Sequence, residues 1–255
     1  MIRSLLSLLL LAPLLGVAAG DTQAQDTDTD AAEAETATAA VRSAPSWEPS
    51  PFSARYRVTY EGVPVTATGS RELRAGENGE FVFASRVSAF MAHMEESARF
   101  AQDEDGTLRP LSYSDRRSGL IGSRNRQLHF DWSVPKVVRS GDRDMVQELD
   151  GLVYDPVSWQ LALQRDLSRG DYEVGDNFRY LVSNGGEPDE YLLRVVGKPS
   201  LNVPAGRFDT ILLRRVHDSD RETWIWVAPE HDYLLVRLEH VDGRRLTLAL
   251  ASIDE

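Results

Sequence analysis

From residue 52 onward, apolar and polar side chains alternate one by one along stretch after stretch of this chain. In the first stretch, 52–60, aromatic and aliphatic residues alternate with arginine, serine and threonine. The same period returns at 126–132, 234–239 and 246–250. A period of two places successive side chains on opposite faces of a β-strand. The alternation therefore predicts a mainly β protein whose strands bury one face.

Short turn signals containing glycine separate these stretches. They are Glu61-Gly62, 76–79, Asp105-Gly106, 184–186, 204–206 and Asp242-Gly243. Asn or Asp beside Gly supplies the positive φ that tight hairpins require. Further strands are predicted at 63–73, 80–89, 95–102, 108–116, 178–183, 191–196, 208–216 and 222–228. About a dozen antiparallel strands are too many for one flat sheet, so the fold class predicted is a strongly curved sheet or β-barrel.

One segment, near 155–167, has helical spacing instead. Asp155 and Pro156 form a good helix start, as N-cap and first helical residue. Apolar residues then recur at helix-like intervals, and Gly170 is a plausible stop. We expect this helix to lie across one open side or end of the sheet, with Trp159 in the core.

The N-terminus has the three parts of a signal peptide, predicted at 1–20. Arg3 precedes an apolar run at 5–17, and small residues follow at 18–20. Cleavage after Gly20, or as late as Ala24, leaves small residues at the cut. The run is shorter than the roughly 20 residues of a membrane span, so an uncleaved anchor is the less favoured alternative. The chain has no cysteine, which argues against a lipoprotein. The prediction is a periplasmic protein without a transmembrane anchor after cleavage.

Residues 21–50 are a low-complexity acidic stretch of Asp, Thr, Ala and Glu. Such a segment buries too little apolar surface to offset its ordering entropy, so we predict a disordered linker. A partner-binding tail is the alternative. Residues 51–255 are predicted to form a single β-rich domain. The net charge of −12 argues against nucleic acid, which requires a basic footprint.

The chain carries no strong catalytic or metal motif. Its five histidines are scattered, and there is no G-x-S-x-G elbow. The tract 91–94, Met-Ala-His-Met, contains soft ligands for copper, but ordinary loop or core use is favoured. No catalytic residue, metal site or cofactor is therefore predicted. A hydrolase stays an alternative that requires two carboxylates about 5–10 Å apart in a cleft.

Four arginines flank a glycine-containing tip inside this acidic domain. They are Arg116, Arg117, Arg124 and Arg126, and the tip carries the apolar pair Leu120-Ile121. Guanidinium forks suit phosphate and carboxylate groups, so the arginines are candidates for an anionic head group. The alternative is that they pair with acids on neighbouring strands.

Trp224 and Trp226 share one face of a predicted strand, while Ile225 and Val227 share the other. Both faces are thus apolar, whereas a strand with one solvent-exposed face would have polar residues on that face. Either the helix covers the second face or the sheet wraps an apolar cavity; ordinary core packing is the alternative. With Trp132, the two tryptophans are candidates for the apolar wall of a ligand site.

Five segments of the chain carry further motifs. They are 52–63, 113–132, 155–158, 203–210 and 223–237. Together they resemble an exported bacterial family, domain of unknown function 3108 (DUF3108). Leu235 stands where that pattern would have proline. The resemblance implies an exported β-rich protein and no known activity.

These observations predict a non-enzymatic periplasmic protein that binds an apolar or amphipathic ligand. The expected ligand is a lipid or another hydrophobic molecule, such as a cell-envelope intermediate, because curved sheets hold ligands in their mouths. The alternatives are an envelope structural or interaction protein and the carboxylate-dependent hydrolase.

Overall fold

A computed structural model describes residues 47–89, 91–119, 122–217 and 219–254. The predicted signal peptide and most of the predicted linker lie outside these ranges. Trp47 packs against the core and Pro49 is buried, so the packed chain includes residues before 51. The elements of the described chain are β1 (Phe52–Tyr60), β2 (Val63–Ala75), β3 (Glu80–Ala89), β4 (Ala92–Gln102), β5 (Leu108–Gly119), β6 (Arg124–Asp131), β7 (Lys136–Gly141), β8 (Met145–Glu148), α1 (Trp159–Ser168), β9 (Asn177–Val182), β10 (Asp189–Gly197), β11 (Ser200–Val203), β12 (Gly206–Asp209), β13 (Ile211–Val216), β14 (Glu222–Ala228), a 3-10 turn (Pro229–His231), β15 (Leu234–Asp242) and β16 (Arg244–Asp254).

Fourteen of the described strands form one antiparallel sheet, which confirms the predicted curved β architecture. The order is β8-β7-β6-β5-β4-β3-β2-β1-β16-β15-β14-β13-β10-β9, and β11 pairs with β12 as a separate hairpin. Strands β8 and β9 are the two edges, so backbone hydrogen bonds do not close the sheet into a barrel. Beside β9, Tyr154 forms a parallel bridge to Val182.

One predicted strand, 208–216, is in fact two strands. Strand β12 ends at Asp209 and β13 begins at Ile211. Between them, the backbone N–H and the hydroxyl of Thr210 both donate to the carbonyl of Pro199, at 3.0 and 2.6 Å. Because of these two bonds Thr210 pairs with neither sheet, and the chain passes there from the β11-β12 hairpin to the fourteen-stranded sheet.

The helix begins at Trp159, later than the predicted start. The carboxylate of Asp155 accepts hydrogen bonds from the N–H groups of Val157 and Ser158, both at 2.9 Å. Asp155 therefore caps a turn that leads into the helix, rather than the helix itself. Gly170, with φ of 76°, follows the helix and confirms the predicted stop.

Helix α1 lies in the concavity of the sheet. Trp159 is buried and packs edge-on against Tyr191 of β10, with ring centroids 5.5 Å apart. Gln160 accepts a hydrogen bond from Arg71 of β2, and Gln164 donates to the carbonyl of Tyr233. Since β2 and β10 are far apart in the sheet order, the sheet must curl around the helix. No helix in the described ranges is long and apolar enough to cross a membrane.

Candidate functional site

A row of polar side chains crosses five neighbouring strands on the inner face of the sheet. Successive members are paired in register on β2, β3, β4, β5 and β6. The members of this polar row are Arg71, Ser85, Glu96, Asp115 and Arg126. The next inward-facing positions are apolar or aromatic: Leu73, Phe83, Ala98, Tyr113 and Leu128. The alternation that builds the core thus also places a continuous line of polar groups on its inner face, four of them ionisable.

Asp115 is the anionic centre of this row. It is fully buried, and its two carboxylate oxygens accept hydrogen bonds from Arg117 at 2.9 and 3.1 Å. Arg126 donates to the same carboxylate at 3.0 Å. Arg124, half-buried, places a nitrogen 3.7 Å away. Charge-assisted bonds of this kind compensate the burial of both partners.

Glu96, the cross-strand neighbour of Asp115, is held in its neutral form. Burial raises the pKa of Glu96 to about 8, and the charge of Asp115 adds to the effect. The Tyr113 hydroxyl donates to Glu96 and accepts from Arg126 at 3.2 Å. Burial holds the pKa of Tyr113 well above its usual value, and so does the negative charge that Glu96 carries once it has ionised at higher pH. At pH 7 the Glu96 carboxyl is therefore protonated.

Arg71 ends the row without a carboxylate partner. It is buried, donates to Gln160, and lies over the Phe83 ring at 4.9 Å from the centroid. Within the described ranges no carboxylate oxygen comes within 4.0 Å of it. Burial lowers the pKa of Arg71, but a guanidinium stays charged at neutral pH.

The buried charges of the row and its neighbours do not balance. Arg71, Arg117 and Arg126 are all buried cations. Asp115 opposes them, whereas Glu96 is neutral. The interior of this wall of the sheet is consequently electropositive, in a chain whose net charge is −12.

Asn184, in the turn after β9, ties this wall to the edge of the sheet. Its side-chain oxygen accepts a hydrogen bond from Arg126 at 2.8 Å, and its backbone carbonyl accepts one from Arg139 at 3.1 Å. The next residue, Gly185, has φ of 91°, and a Cβ there would lie 2.5 Å from the Cβ of Arg139. Only glycine fits this close approach.

We expect Gly185→Ala to lower the free energy of unfolding by about 1–3 kcal/mol, because the substitution adds both strain and a clash. Gly186→Ala is the matched control, since a Cβ there would lie 3.7 Å from Met145, an ordinary contact, and its φ is not positive. Urea denaturation measures both variants. Equal losses would show that the approach at Gly185 is not the cause.

The four arginines predicted as a group divide between two faces. Arg117 and Arg126 point inward to Asp115, and Arg124 lies at the rim of the same network. Arg116 is exposed on the outer face. The tip residues 120–121 lie outside the described chain. For three of the arginines, pairing with an acid on the same or a neighbouring strand is therefore the observed arrangement.

The expected apolar wall of tryptophans is not formed. Trp224 and Trp226 are half-buried on the outer face, while Ile225 and Val227 face the core. Neither indole belongs to the core cluster that contains helix α1. Guanidinium groups lie over them instead, Arg214 over Trp224 at 5.3 Å and Arg237 over Trp226 at 5.6 Å. The stems of long arginines shield apolar surface while the charge stays in water, which explains a strand with two apolar faces.

Trp132 lies elsewhere, just after β6. It stacks beside Phe130 at 6.1 Å between centroids, and its indole N–H donates to the carbonyl of Pro110 at 2.7 Å. It packs against the core cluster. Trp132 therefore lies on a different surface from Trp224 and Trp226, and the three tryptophans do not form one site.

Of the polar row, the sequence patterns predicted only Arg126 as a candidate site residue. Glu96 carried a signal, because it interrupts an inward-facing series of apolar residues, Met94, Ala98 and Phe100. Glu95 and Glu96 are adjacent on β4 and face opposite sides of the sheet. Glu95 pairs outside with Arg86 at 2.9 Å. The described residues contain no group of three or more His, Cys, Asp or Glu that could hold a metal ion.

The fold and the row define a strongly curved antiparallel sheet, wrapped around one helix, with a buried arginine-rich wall. The family described as "Protein of unknown function (DUF3108)" matches residues 55–248. The chain belongs to this family, as its motifs indicated.

Among solved structures, the chain is similar to the crystal structure of a beta-barrel-like protein of domain of unknown function DUF1849 from Brucella abortus. The TM-score is 0.56 with 10% sequence identity, over 80% of this chain and 97% of that chain. This likeness shows a shared fold. No curated protein matched the chain.

Proposed function

We propose that the protein is an exported, non-enzymatic binding protein of the periplasm whose ligand presents an anionic group to the polar row. The observation that carries the proposal is the excess of buried guanidinium groups over ionised buried carboxylates on this wall. The signal-peptide pattern at 1–20 supports export.

An uncompensated buried charge is costly, and Arg71 is such a charge. An anion beside it would supply the missing partner. Arg71, Glu96 and Tyr56 line a cavity of about 30 Å³. That is room for one or two waters, or for a carboxylate or one edge of a phosphate, which are the groups that guanidinium forks bind best.

The size of the interior spaces limits what the ligand places there. A second space, of about 20 Å³, lies between Phe52, Phe83 and Trp159. Neither space admits an acyl chain, since helix α1 fills the concavity. The proposal therefore assigns the anionic group to the polar row and leaves any apolar part of the ligand outside these two cavities.

We expect Arg71→Gln to remove the part of the stabilisation by anions that comes from the polar row. At constant ionic strength, acetate or inorganic phosphate should raise the unfolding free energy of the wild type, by about 1.4 kcal/mol at ten times the dissociation constant. Urea titrations at several anion concentrations measure this. Arg74→Gln, on the same strand but exposed, is the matched control and should keep the effect.

Two outcomes would contradict the proposal. One is a wild type whose stability does not respond to either anion; the other is an equal loss of response in the Arg74 variant. Native mass spectrometry of the protein purified from its own periplasm is the complementary test, because a retained ligand would add its mass.

A second candidate function, an envelope interaction protein, is favoured by the edge strand β8. Val146 on this strand is 66% exposed. An unpaired edge is a template for a strand of another chain. Partner capture that is lost when this edge is blocked would support it.

The carboxylate-dependent hydrolase meets only half of its requirement. Glu96 and Asp115 are direct cross-strand neighbours, which places their Cβ atoms about 4.5–5.5 Å apart. Both side chains are buried, however, and the oxygens of Asp115 are taken by arginines. A pair so enclosed lacks the cleft that a substrate would need.

A further inference from the structure

A second buried arginine without a carboxylate partner lies inside the sheet, on a strand remote from the polar row in the sheet order. Arg215 is on β13, seven strands along the sheet from β4, which carries Glu96. Its side chain faces inward, and the residue is only 8% exposed. In a sheet of fourteen strands curled around a helix, that separation places Arg215 on the opposite wall.

Arg215 has no acidic partner. In the described part of the chain, no carboxylate oxygen lies within 4.0 Å of its guanidinium. The polar side chain that interacts with it most closely is that of Tyr191. The Nε atom is enclosed and unpartnered, whereas the terminal nitrogens are not enclosed. The terminal nitrogens therefore reach solvent while the rest of the side chain is buried.

Its close contact is the ring of Tyr191 on β10. The guanidinium carbon lies 3.4 Å from the ring centroid. The Tyr191 hydroxyl is itself buried and has no hydrogen-bond partner among the described residues. Stacking on a ring compensates part of the charge but leaves the N–H and O–H donors unpaired.

The neighbouring polar groups do not supply the missing acceptor. The hydroxyl of Thr223 bonds His240 at 2.8 Å and His217 at 3.1 Å. Burial lowers the pKa of both imidazoles, that of His217 to about 4, so they are neutral at pH 7. Asp189, half-buried, is close enough to feel the charge of Arg215 but forms no ion pair with it.

We propose that Arg215 and Tyr191 form a second oxyanion site, which binds a carboxylate or phosphate group. The terminal guanidinium nitrogens and the tyrosine hydroxyl are the donors. Two unpaired donors in contact inside a protein are what an oxyanion satisfies, and arginine binds such groups with charge-assisted bonds. The site shares no residue with the polar row, so a substitution can remove either site without removing the other.

The test is binding of inorganic phosphate and of acetate to the full chain, measured by isothermal titration calorimetry at constant ionic strength. Arg215→Gln should raise the dissociation constant of this site at least about tenfold, because charged hydrogen bonds are lost. Arg214→Gln is the matched control: it removes the same charge one residue away, on the outer face, and should change binding less than about twofold.

Tyr191→Phe keeps the ring and its stacking but removes the hydroxyl. This substitution should weaken binding of the anion about three- to tenfold. If Arg215→Gln does not fold, Tyr191→Phe tests the second site in its place. Because Arg215→Gln removes an unpaired buried charge, the ligand-free variant should not unfold at lower urea.

Three results would overturn the second site: a wild type that binds neither anion, equal weakening by Arg214→Gln, or an Arg215→Gln variant that is less stable yet binds normally. Loss of binding in Arg71→Gln with normal binding in Arg215→Gln would support the polar row alone. The reverse pattern would support the second site alone.

Discussion

Asp115→Asn is expected to lower the free energy of unfolding by about 3–5 kcal/mol. The substitution keeps the size of the side chain and removes the charge that Arg117 and Arg126 share. Both guanidinium groups then remain buried without a full counter-charge, beside a Glu96 that is already neutral. Urea denaturation at pH 7 measures the loss.

A control on the surface separates this burial effect from the loss of any ion pair. Asp103 pairs with Arg109, but its side chain is 33% exposed. Asp103→Asn should cost about 0–1 kcal/mol, because water already screens the pair. A loss below about 1 kcal/mol for Asp115→Asn would mean that the arginines relax to solvent, and that they are less enclosed than their burial indicates.

The sheet was predictable because its signal is local. Period-two alternation and glycine turns require only neighbouring residues, and both faces of a strand can be assigned from them. The strands that were missed, β7, β8 and β11, are short and contain one buried residue between them. A short strand with both faces partly wet leaves little apolar pattern to detect.

The polar row was only partly predictable because it depends on register across five strands. Arg117 and Arg126 are part of the predicted arginine cluster, and both form ion pairs with Asp115 of the polar row. Arg126 meets Asp115 through the alignment of β5 with β6, and Glu96 lies beside Asp115 through the alignment of β4 with β5. Register depends on the whole buried face and on turn geometry, neither of which a single strand contains.

The tryptophans show a different limit. The sequence identifies two faces of β14 but not which of them is inside when both are apolar. Trp224 and Trp226 are predicted to line an apolar wall because they share one face of a strand whose two faces are both apolar. Arg214 and Arg237, on the strands at either side, make an outer position acceptable for them. The cover that these arginines give the indoles depends on the pairing of neighbouring strands, so the sequence of β14 alone does not show it.

Glu96→Gln is expected to remove a large pH dependence of stability. In the wild type, burial raises the pKa of Glu96 from 4.5 to about 8. Between these values the folded protein keeps the proton and the unfolded chain has released it. The unfolded state then binds fewer protons, so the unfolding free energy falls as pH rises. The contribution is complete below about pH 4.5 and is lost as pH passes about 8, a change of roughly 5 kcal/mol.

Urea denaturation at pH 5 and pH 8.5 tests this prediction. The variant should be close to the wild type at pH 5 and more stable by about 3–4 kcal/mol at pH 8.5. His217 and His240, whose pKa values are lowered, act in the opposite direction, but they cancel in the difference between the two proteins. Glu95→Gln is the control: Glu95 lies outside, and its variant should keep the wild-type pH dependence. An unchanged slope in Glu96→Gln would contradict the protonated state.

The same titration bears on ligand binding. When Glu96 ionises, it adds a negative charge beside Arg71 and Arg126, and the electropositive excess of the row shrinks. Anion binding at the polar row should therefore weaken as pH rises through about 8 in the wild type. In Glu96→Gln it should not, because glutamine stays neutral. A binding curve for acetate that weakens equally in both proteins would place the anion away from Glu96, and so away from the polar row.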